Sequence, residues 1–157
     1  MEWIEPKTDW KVEYDENGNY VGDYFNVRDM NRIYNNLACL TKLVNSIFAI
    51  NKATLSNEYS LGDPIRYTDV RNILMDLKLI NRHVDNYTVN VFLYGDPVSG
   101  DGYDIIDNIT DGASFPDWNF WQNVERSIQL LYKDMLSISN NKRKLKYRFG
   151  IPNTGGF

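Results

Sequence analysis

The sequence predicts a mainly α-helical fold: a three-helix bundle-like domain with a small β-hairpin, a terminal β-strand and an extended N-terminal arm. Three long segments carry apolar residues at spacings of three and four, which is the period of an amphipathic helix, whereas alternating patterns occupy only short stretches. The chain has 157 residues, of which 43% are hydrophobic. This length suffices for one sizeable core and is too short for two ordinary domains.

The first predicted helix spans residues 27 to 50. Asn26 is the expected N-cap, and Asp29 occupies the third helical position. About 24 helical residues would be roughly 36 Å long, which suggests a bundle or an oligomer seam. The apolar stripe consists of Val27, Met30, Ile33, Leu37, Leu40, Val44 and Ile47.

Two further helices follow the same pattern. The second runs from Thr68 to about His83 with Asp69 in its first turn, and the third runs from about Asp117 to Ile138. The inward positions are Val70, Ile73, Leu74, Leu77 and Ile80 in the second helix, and Trp118, Trp121, Val124, Ile128, Leu131 and Met135 in the third.

When the sequences of the predicted helix starts are aligned with one another, Asp29 aligns with Asp69. The matched apolar positions are Met30, Ile33 and Leu37, then Val70, Ile73 and Leu77, then Trp121, Val124 and Ile128. One interpretation is three copies of a single helical unit. The other is that any amphipathic helix gives this spacing, and the sequence leaves both open for the second and third copies.

Short extended elements complete the prediction. Lys11 to Tyr14 and Asn19 to Val21 flank Asn17-Gly18, a pair typical of tight hairpin turns because both residues accept positive φ. Tyr87 to Tyr94 alternates as a strand does, and a glycine-bearing loop follows it. Lys144 to Phe149 alternates basic and apolar residues, which predicts a terminal strand.

We divide this single domain into an N-terminal arm with the hairpin (residues 1–22), a helical body (23–141) and a basic C-terminal strand and tail (142–157). Charge is unevenly distributed: residues 1–138 hold all 21 acidic side chains against 12 basic ones, and the remainder holds five basic side chains alone. An acidic body disfavours broad nucleic-acid binding, which needs a positive face.

The sequence offers no catalytic, cofactor or metal site. Its longest apolar run, residues 37 to 50, is interrupted by Lys42 and Asn45 and is too short for a transmembrane helix. The one cysteine, Cys39, lies in an apolar run and is expected to pack in the core. The one histidine, His83, is expected to interact with the C-terminus of the second helix.

Two acidic loops are candidates for calcium binding. Asp96, Asp101 and Asp104 lie in a glycine-bearing loop, and residues 15 to 19 form a second acidic turn. Neither spacing matches an EF-hand loop, so solvated turns are favoured, and ion binding at the first loop stays open.

One set of motifs is distinctive in the first part of the chain. The motifs are Pro6-Lys7-Thr8-Asp9-Trp10, then Asp23-Tyr24-Phe25-Asn26, then Asp29-Met30-Asn31-Arg32-Ile33. Together they resemble the start of tail-region, baseplate-associated structural proteins of bacteriophages and prophages of Gram-positive bacteria. Phe115-Pro116-Asp117, Gln122-Asn123-Val124-Glu125 and residues 144–150 fit later parts of that pattern loosely, while residues 12–22 and 90–111 look like insertions.

The resemblance implies a non-enzymatic structural subunit of a phage tail or tail-like particle, placed at the baseplate or distal tail. Its partners would be other tail or baseplate proteins and further copies of itself, without a membrane, and its location would be the virion tail after assembly in the host cytoplasm. Candidate assembly contacts are Pro6, Trp10, Tyr24, Phe25, Asn31, Arg32, Lys144, Lys146 and Arg148.

Several alternatives remain at this stage. Trp10 either docks the arm on a neighbouring subunit or caps the chain's own bundle. Asn31 and Arg32 are expected to hydrogen-bond the Asp23–Asn26 link and fix its entry angle. The runner-up function is a cytoplasmic phage-encoded adaptor that binds a host protein or nucleic acid through the basic C-terminal segment. A carbohydrate-binding or carbohydrate-active module that uses surface Trp and Tyr is the third.

Overall fold

The computed structural model describes residues 2–48, 52–55, 58–85 and 118–148, with side chains up to residue 81 in the second helix and up to residue 141 in the last. Three α-helices occur in this part of the chain: α1 (Val27–Phe48), α2 (Tyr67–Asp85) and α3 (Trp118–Arg148). They pack around a shared apolar core. The prediction of a mainly helical, bundle-like domain is therefore confirmed.

α1 begins where the sequence predicts because two side chains cap its first turn reciprocally. The Asn26 side-chain oxygen accepts the Arg28 N–H at 2.9 Å, and the Asp29 carboxylate accepts the Asn26 N–H at 2.9 Å. This arrangement is a capping box, and it satisfies amide groups at the end of the helix. The predicted last residues, 49 and 50, lie outside the described part of the chain.

α2 begins with a related device. The Asp69 carboxylate accepts the Arg66 N–H at 3.1 Å, while the Asp69 N–H donates to the Arg66 carbonyl at 3.0 Å. Asp29 and Asp69, which align in the sequence, thus hold the third position of their helices and reach back to the residue before the helix. This equivalence favours the interpretation that α1 and α2 are copies of one unit.

α3 is longer than predicted, and the predicted terminal strand at Lys144 to Phe149 is wrong because residues 144–148 continue the helix. Residues 118–148 contain neither Gly nor Pro, and their C-terminal part is rich in Lys, Arg and Leu, which are strong helix formers. Basic residues near the C-terminus of a helix are also favourable in general, because the helix dipole has its negative end there. A brief basic–apolar alternation does not outweigh these two effects.

The helices bury residues at the same spacing, which confirms the central part of each predicted stripe. The buried positions are Met30, Ile33, Leu37, Leu40 and Val44 in α1, Val70, Ile73, Leu77 and Ile80 in α2, and Trp121, Val124, Ile128, Leu131 and Met135 in α3. The prediction fails at one helix end, where Trp118 is 36% exposed.

α1 and α3 run in the same direction. Near the helix starts, the Arg32 side chain bonds the Glu125 carboxylate. Further along, Asn36 holds the backbone of Ile4, while the neighbouring Trp3 ring stacks on Tyr132 with centroids 3.8 Å apart. Residues that come later in α1 therefore lie level with residues that come later in α3. The arm, residues 2–10, runs in the opposite direction along both helices.

α1 and α2 also run in the same direction. Tyr59 lies between the helix starts: its ring is 6.0 Å from the Tyr34 ring, and its hydroxyl hydrogen-bonds Asp69. Lys52 lies further along, between Asn45 of α1 and Asp76 of α2. The segment before α2 thus returns from the end of α1 to its beginning, as the arm does before α1.

Asparagines of α1 fix these returning segments. Each of three side chains binds both the N–H and the C=O of one residue, because a carboxamide carries a donor and an acceptor side by side. Asn36 holds Ile4 (3.0 and 2.7 Å), Asn31 holds Tyr59 (2.8 and 2.9 Å), and Asn45 holds Lys52 (2.9 and 2.8 Å). The segments are therefore paired as a strand would be, although their partner is a helix.

The predicted hairpin is reduced to a chain reversal, which we call the N-terminal turn (residues 11–23). Its two sides form one isolated antiparallel bridge, between Tyr14 and Tyr20, so a β-hairpin with two strands is not confirmed. Gly18 takes the positive φ that the turn requires, at 83°. At Gly22 a Cβ would lie 2.4 Å from the Lys11 carbonyl oxygen, so only glycine fits there.

Several predictions fall on residues that the structure does not describe: the strand at 87–94, the loop after it, the insertion at 90–111 and the end of the chain beyond 148. Within the described ranges, no helix is both long enough and apolar enough to cross a membrane.

Candidate functional site

A buried ion-pair network joins the arm, α1 and α3. Glu125, only 1% exposed, accepts the Arg32 Nε at 2.9 Å and a second bond from the same guanidinium. Arg32 also bonds the Asp29 carboxylate at 2.8 Å, and the Lys7 N–H donates to Glu125 at 2.8 Å. Fork-shaped pairing of this kind fixes geometry as well as charge.

The network is tightly coupled. Burial raises the pKa of Glu125 above its ordinary value, and the Arg32 guanidinium and the Lys7 N–H oppose that rise. Burial also disfavours the charged form of Arg32, but its bonds to Glu125 and Asp29 raise the Arg32 pKa above its ordinary value. Asp29, Arg32, Glu125 and the Lys7 N–H thus all have partners within the chain, which suits a structural role.

The candidate contacts Pro6 and Trp10 are buried in the chain's own fold. Trp10 is 6% exposed and belongs to the core, and its indole Nε1 donates to the Lys7 carbonyl at 2.9 Å. Phe25 lies between Trp10 and Trp121, with ring centroids 5.9 and 3.9 Å away. Of the two roles that the sequence left open for Trp10, its burial in the chain's own core favours the one in which it caps its own bundle.

Asn31 and Arg32 do not bond the Asp23–Asn26 link, contrary to our expectation. Asn31 holds Tyr59, and Arg32 turns towards Glu125 and Asp29. The link is secured by Asp23 instead, whose carboxylate accepts the Lys11 N–H at 2.8 Å and lies 3.0 Å from the Lys7 ammonium. The Lys11 N–H and the Lys7 ammonium lower the pKa of Asp23 below its ordinary value.

Tyr24 remains available as a surface contact, being 67% exposed. It belongs to a cluster on the N-terminal turn in which Tyr20 meets Tyr14 and Tyr24 edge to face, with centroids 5.4 and 5.1 Å apart. The Tyr24 hydroxyl donates to the Tyr20 carbonyl at 2.9 Å. Val12 and Val21 are exposed on the same turn. We call these five residues the tyrosine patch.

The remaining candidates, Lys144, Lys146 and Arg148, occupy the last turns of α3. Their backbone is helical and their side chains lie outside the described part. They are therefore presented around a helix, whereas a strand would have placed all three on one face.

The structure describes some of the other side chains that we considered for chemistry, and others lie outside the described residues. Cys39 is half-buried, and burial raises the pKa of its thiol. Asp15 binds the N–H groups of Asn17 and Asn19, so its carboxylate closes the turn. The His83 side chain and the loop aspartates Asp96, Asp101 and Asp104 lie outside the described residues. Among described residues, no group of three or more His, Cys, Asp or Glu could hold a metal ion.

A cavity of about 310 Å³ opens beside Tyr59, lined by Glu58, Tyr59, Asp63, Pro64, Arg66 and Asp69. Two of its three acidic groups are already engaged: Asp63 accepts the Ser60 N–H, and Asp69 caps α2 and bonds Tyr59. Burial and these neighbours raise the pKa of Tyr59 well above its ordinary value. The cavity wall is thus built from groups that stabilise the segment before α2.

Sequence analysis missed two functional features of the arm. Glu125 was noticed only as part of a loose motif match, and the paired bonds of Asn36 were not expected. The sequence does contain a signal for Glu125 and Asn36. Each lies next to a residue of the apolar stripe, and a charged or amide residue at such a position faces the groove between two helices. The identity of the partner, however, depends on long-range packing.

Comparison with known proteins adds no assignment: no family model, curated protein or solved structure matches this chain.

Proposed function

We propose that this chain is a structural, non-enzymatic subunit of a phage tail or tail-like particle, at the baseplate or distal tail. It acts by protein–protein assembly with other tail or baseplate proteins and with further copies of itself. Its place is the virion tail, which it reaches after assembly in the host cytoplasm. The observation that carries the proposal is that the three sequence motifs on which the family resemblance rests contact one another in the fold.

The resemblance rests on three motifs, and they contact one another. Trp10 of the first motif packs against Phe25 of the second, and Lys7 of the first pairs with Asp23 of the second. Arg32 of the third motif meets the arm through Glu125, which also binds the Lys7 N–H. A pattern whose members hold arm, link and helix together is typical of a scaffold.

The tyrosine patch supports assembly as the mode of action. Exposed tyrosines are enriched at protein interfaces because each offers a large apolar area with a polar tip. Two bonds tie together the turn that carries the patch: the Asp23 carboxylate accepts the Lys11 N–H, and the Tyr20 hydroxyl donates to the Asp23 carbonyl. A neighbouring tail protein would therefore meet a surface that needs little ordering on binding.

The proposal is tested by in-frame removal of the coding region from the phage or prophage, followed by electron microscopy of the particles. We expect tails that are incomplete at the distal end and that regain normal form when the unaltered chain is supplied in trans. Normal, infective particles that form without the chain would overturn the proposal.

The adaptor remains the second candidate, because the five C-terminal cations lie on or beside a helix, and a basic helix suits an anionic partner. Retention on duplex DNA that weakens steeply with salt would favour it. The matched control is Lys144→Gln/Lys146→Gln, which should lose that retention if the basic turns carry it.

A further inference from the structure

The molecule has an acidic end and a basic end. Because Asn26 caps α1 directly after the N-terminal turn, that turn lies at the end of the bundle where the parallel helices begin. The N-terminal turn, residues 11–23, carries four acidic side chains and one lysine. Glu13 and Glu16 are exposed on the turn itself.

The basic end lies at the opposite pole. Ile138 packs against the core, and α3 continues for ten further residues, about 15 Å of helix at 1.5 Å per residue. Asn140 and Asn141 on this extension are exposed. Five cations follow them up to Arg148, and no acidic residue follows Asp134 anywhere in the sequence.

The spacing of these cations has a cost that the helix itself offsets only in part. Lys142 and Lys146 are four residues apart in the sequence of the helix, as are Lys144 and Arg148, and like charges at this spacing destabilise a helix. The helix dipole compensates part of this repulsion. An acidic surface brought against the last turns would compensate more of it, and the acidic turn has the matching charge.

We propose that a second copy of this chain docks its acidic N-terminal turn against the basic last turns of α3, head to tail. The turn carries a formal charge of −3, and the last turns of α3, residues 142–148, carry +5. Such an interface is heterologous, so repetition gives a ring or an open filament. This inference rests on the proposed assembly function and names the surface that copies use.

The test compares two charge-reversal variants by sedimentation velocity. In the first variant, Lys142→Glu/Lys144→Glu/Lys146→Glu, the formal charge of residues 142–148 changes from +5 to −1, so both ends are acidic. In the second, Glu13→Lys/Glu16→Lys, the formal charge of residues 11–23 changes from −3 to +1, so both ends are basic. We expect the unaltered chain to self-associate at about 0.01 M salt, where the Debye length is about 30 Å, and to dissociate at about 1 M, where it is about 3 Å. Each variant alone should remain monomeric at both salt concentrations.

The decisive sample is an equimolar mixture of the two variants. Each variant then offers the other a complementary end, so association should return at low salt. A mixture that stays monomeric, or an unaltered chain that is monomeric at every salt concentration, overturns the inference. If the charges only compensate helix dipoles, both variants will melt at lower temperature without any change in association, which also overturns it.

Failure of this inference is distinguishable from failure of the proposed function. A chain that is found in particles but never associates head to tail contradicts the inference alone. Circular dichroism of each variant establishes whether its helices are intact; the altered turn residues are exposed, and the altered lysines follow Ile138 in the chain.

Discussion

Arg32 shows most clearly how a single residue serves the architecture. It pairs with Asp29 one turn earlier and with Glu125 on another helix, and Glu125 in turn holds the arm through the Lys7 N–H. The local partner follows from sequence spacing, because residues three apart on a helix are neighbours. The distant partner depends on how the helices pack, so sequence analysis could not name it.

We expect Glu125→Gln to lower the free energy of unfolding by about 3 to 5 kcal/mol, because the change leaves the Arg32 charge buried with fewer partners. Arg32→Gln should cost a similar amount, and the double variant should cost less than the sum of the two. Urea unfolding of the four proteins measures this coupling. Lys7→Gln, which breaks the partly exposed pair with Asp23, is the control and should cost less than about 1 kcal/mol. Additive single effects would contradict a shared network.

Asp23 makes the stability depend on pH. The Lys11 N–H and the Lys7 ammonium lower its pKa in the folded chain below the ordinary value of 3.8. Its stabilising effect is therefore fully present above 3.8 and is lost as the pH falls through the lowered folded pKa. Glu125 and Asp76, whose pKa values burial raises, act in the opposite sense, so the comparison must be between variants.

We therefore expect Asp23→Asn to lose less stability than the unaltered chain when urea unfolding is repeated below pH 3.8. Asp9→Asn is the matched control, since Asp9 is exposed and makes no hydrogen bond or ion pair with the described residues. An unchanged acid dependence in Asp23→Asn would show that this carboxylate does not secure the link.

At the scale of elements, the arm is part of the body. Trp10 enters the core, and the arm backbone is bonded by Asn36 of α1 and Glu125 of α3. The sequence left two roles open for the arm, docking on a neighbouring subunit or capping the chain's own bundle, because proline and tryptophan in an extended segment suit both. Burial decides between the two roles, and sequence composition does not encode it.

Trp10→Ala should destabilise the fold by about 3 to 5 kcal/mol, since a large buried ring leaves a cavity. Trp118→Ala is the matched control: Trp118 is 36% exposed, so the loss should be well below that of Trp10→Ala. Thermal unfolding of both variants decides the matter. Equal losses would mean that the arm does not belong to the core.

Helix starts were more predictable than helix ends. The starts of α1 and α2 depend on Asp29 and Asp69, whose effect is confined to one turn. The C-terminal part of α3 depends on a balance between strong helix formers and a brief basic–apolar alternation, and helix propensity prevails. Strong local signals therefore predicted the starts of α1 and α2, whereas the wrong terminal strand came from a balance of weak signals.

For the whole molecule, the described helices run in the same direction, with an extended segment returning before α1 and another before α2. Sequence periodicity predicted the buried stripes but not their common direction, because direction depends on where the connecting segments travel. The returning segments are fixed by paired asparagine bonds at Ile4, Lys52 and Tyr59. The outcome is a bundle in which the acidic N-terminal turn and the basic last turns of α3 lie at opposite ends.

The central claim, that this chain is a tail subunit, is tested most directly by quantitative mass spectrometry of purified particles from the strain that encodes it. The account predicts that the chain is present at a fixed ratio to the other tail components, and a ratio that is a multiple of three or six would also indicate symmetry. Absence from the particles, with abundance in the soluble lysate, would contradict the account and favour the adaptor.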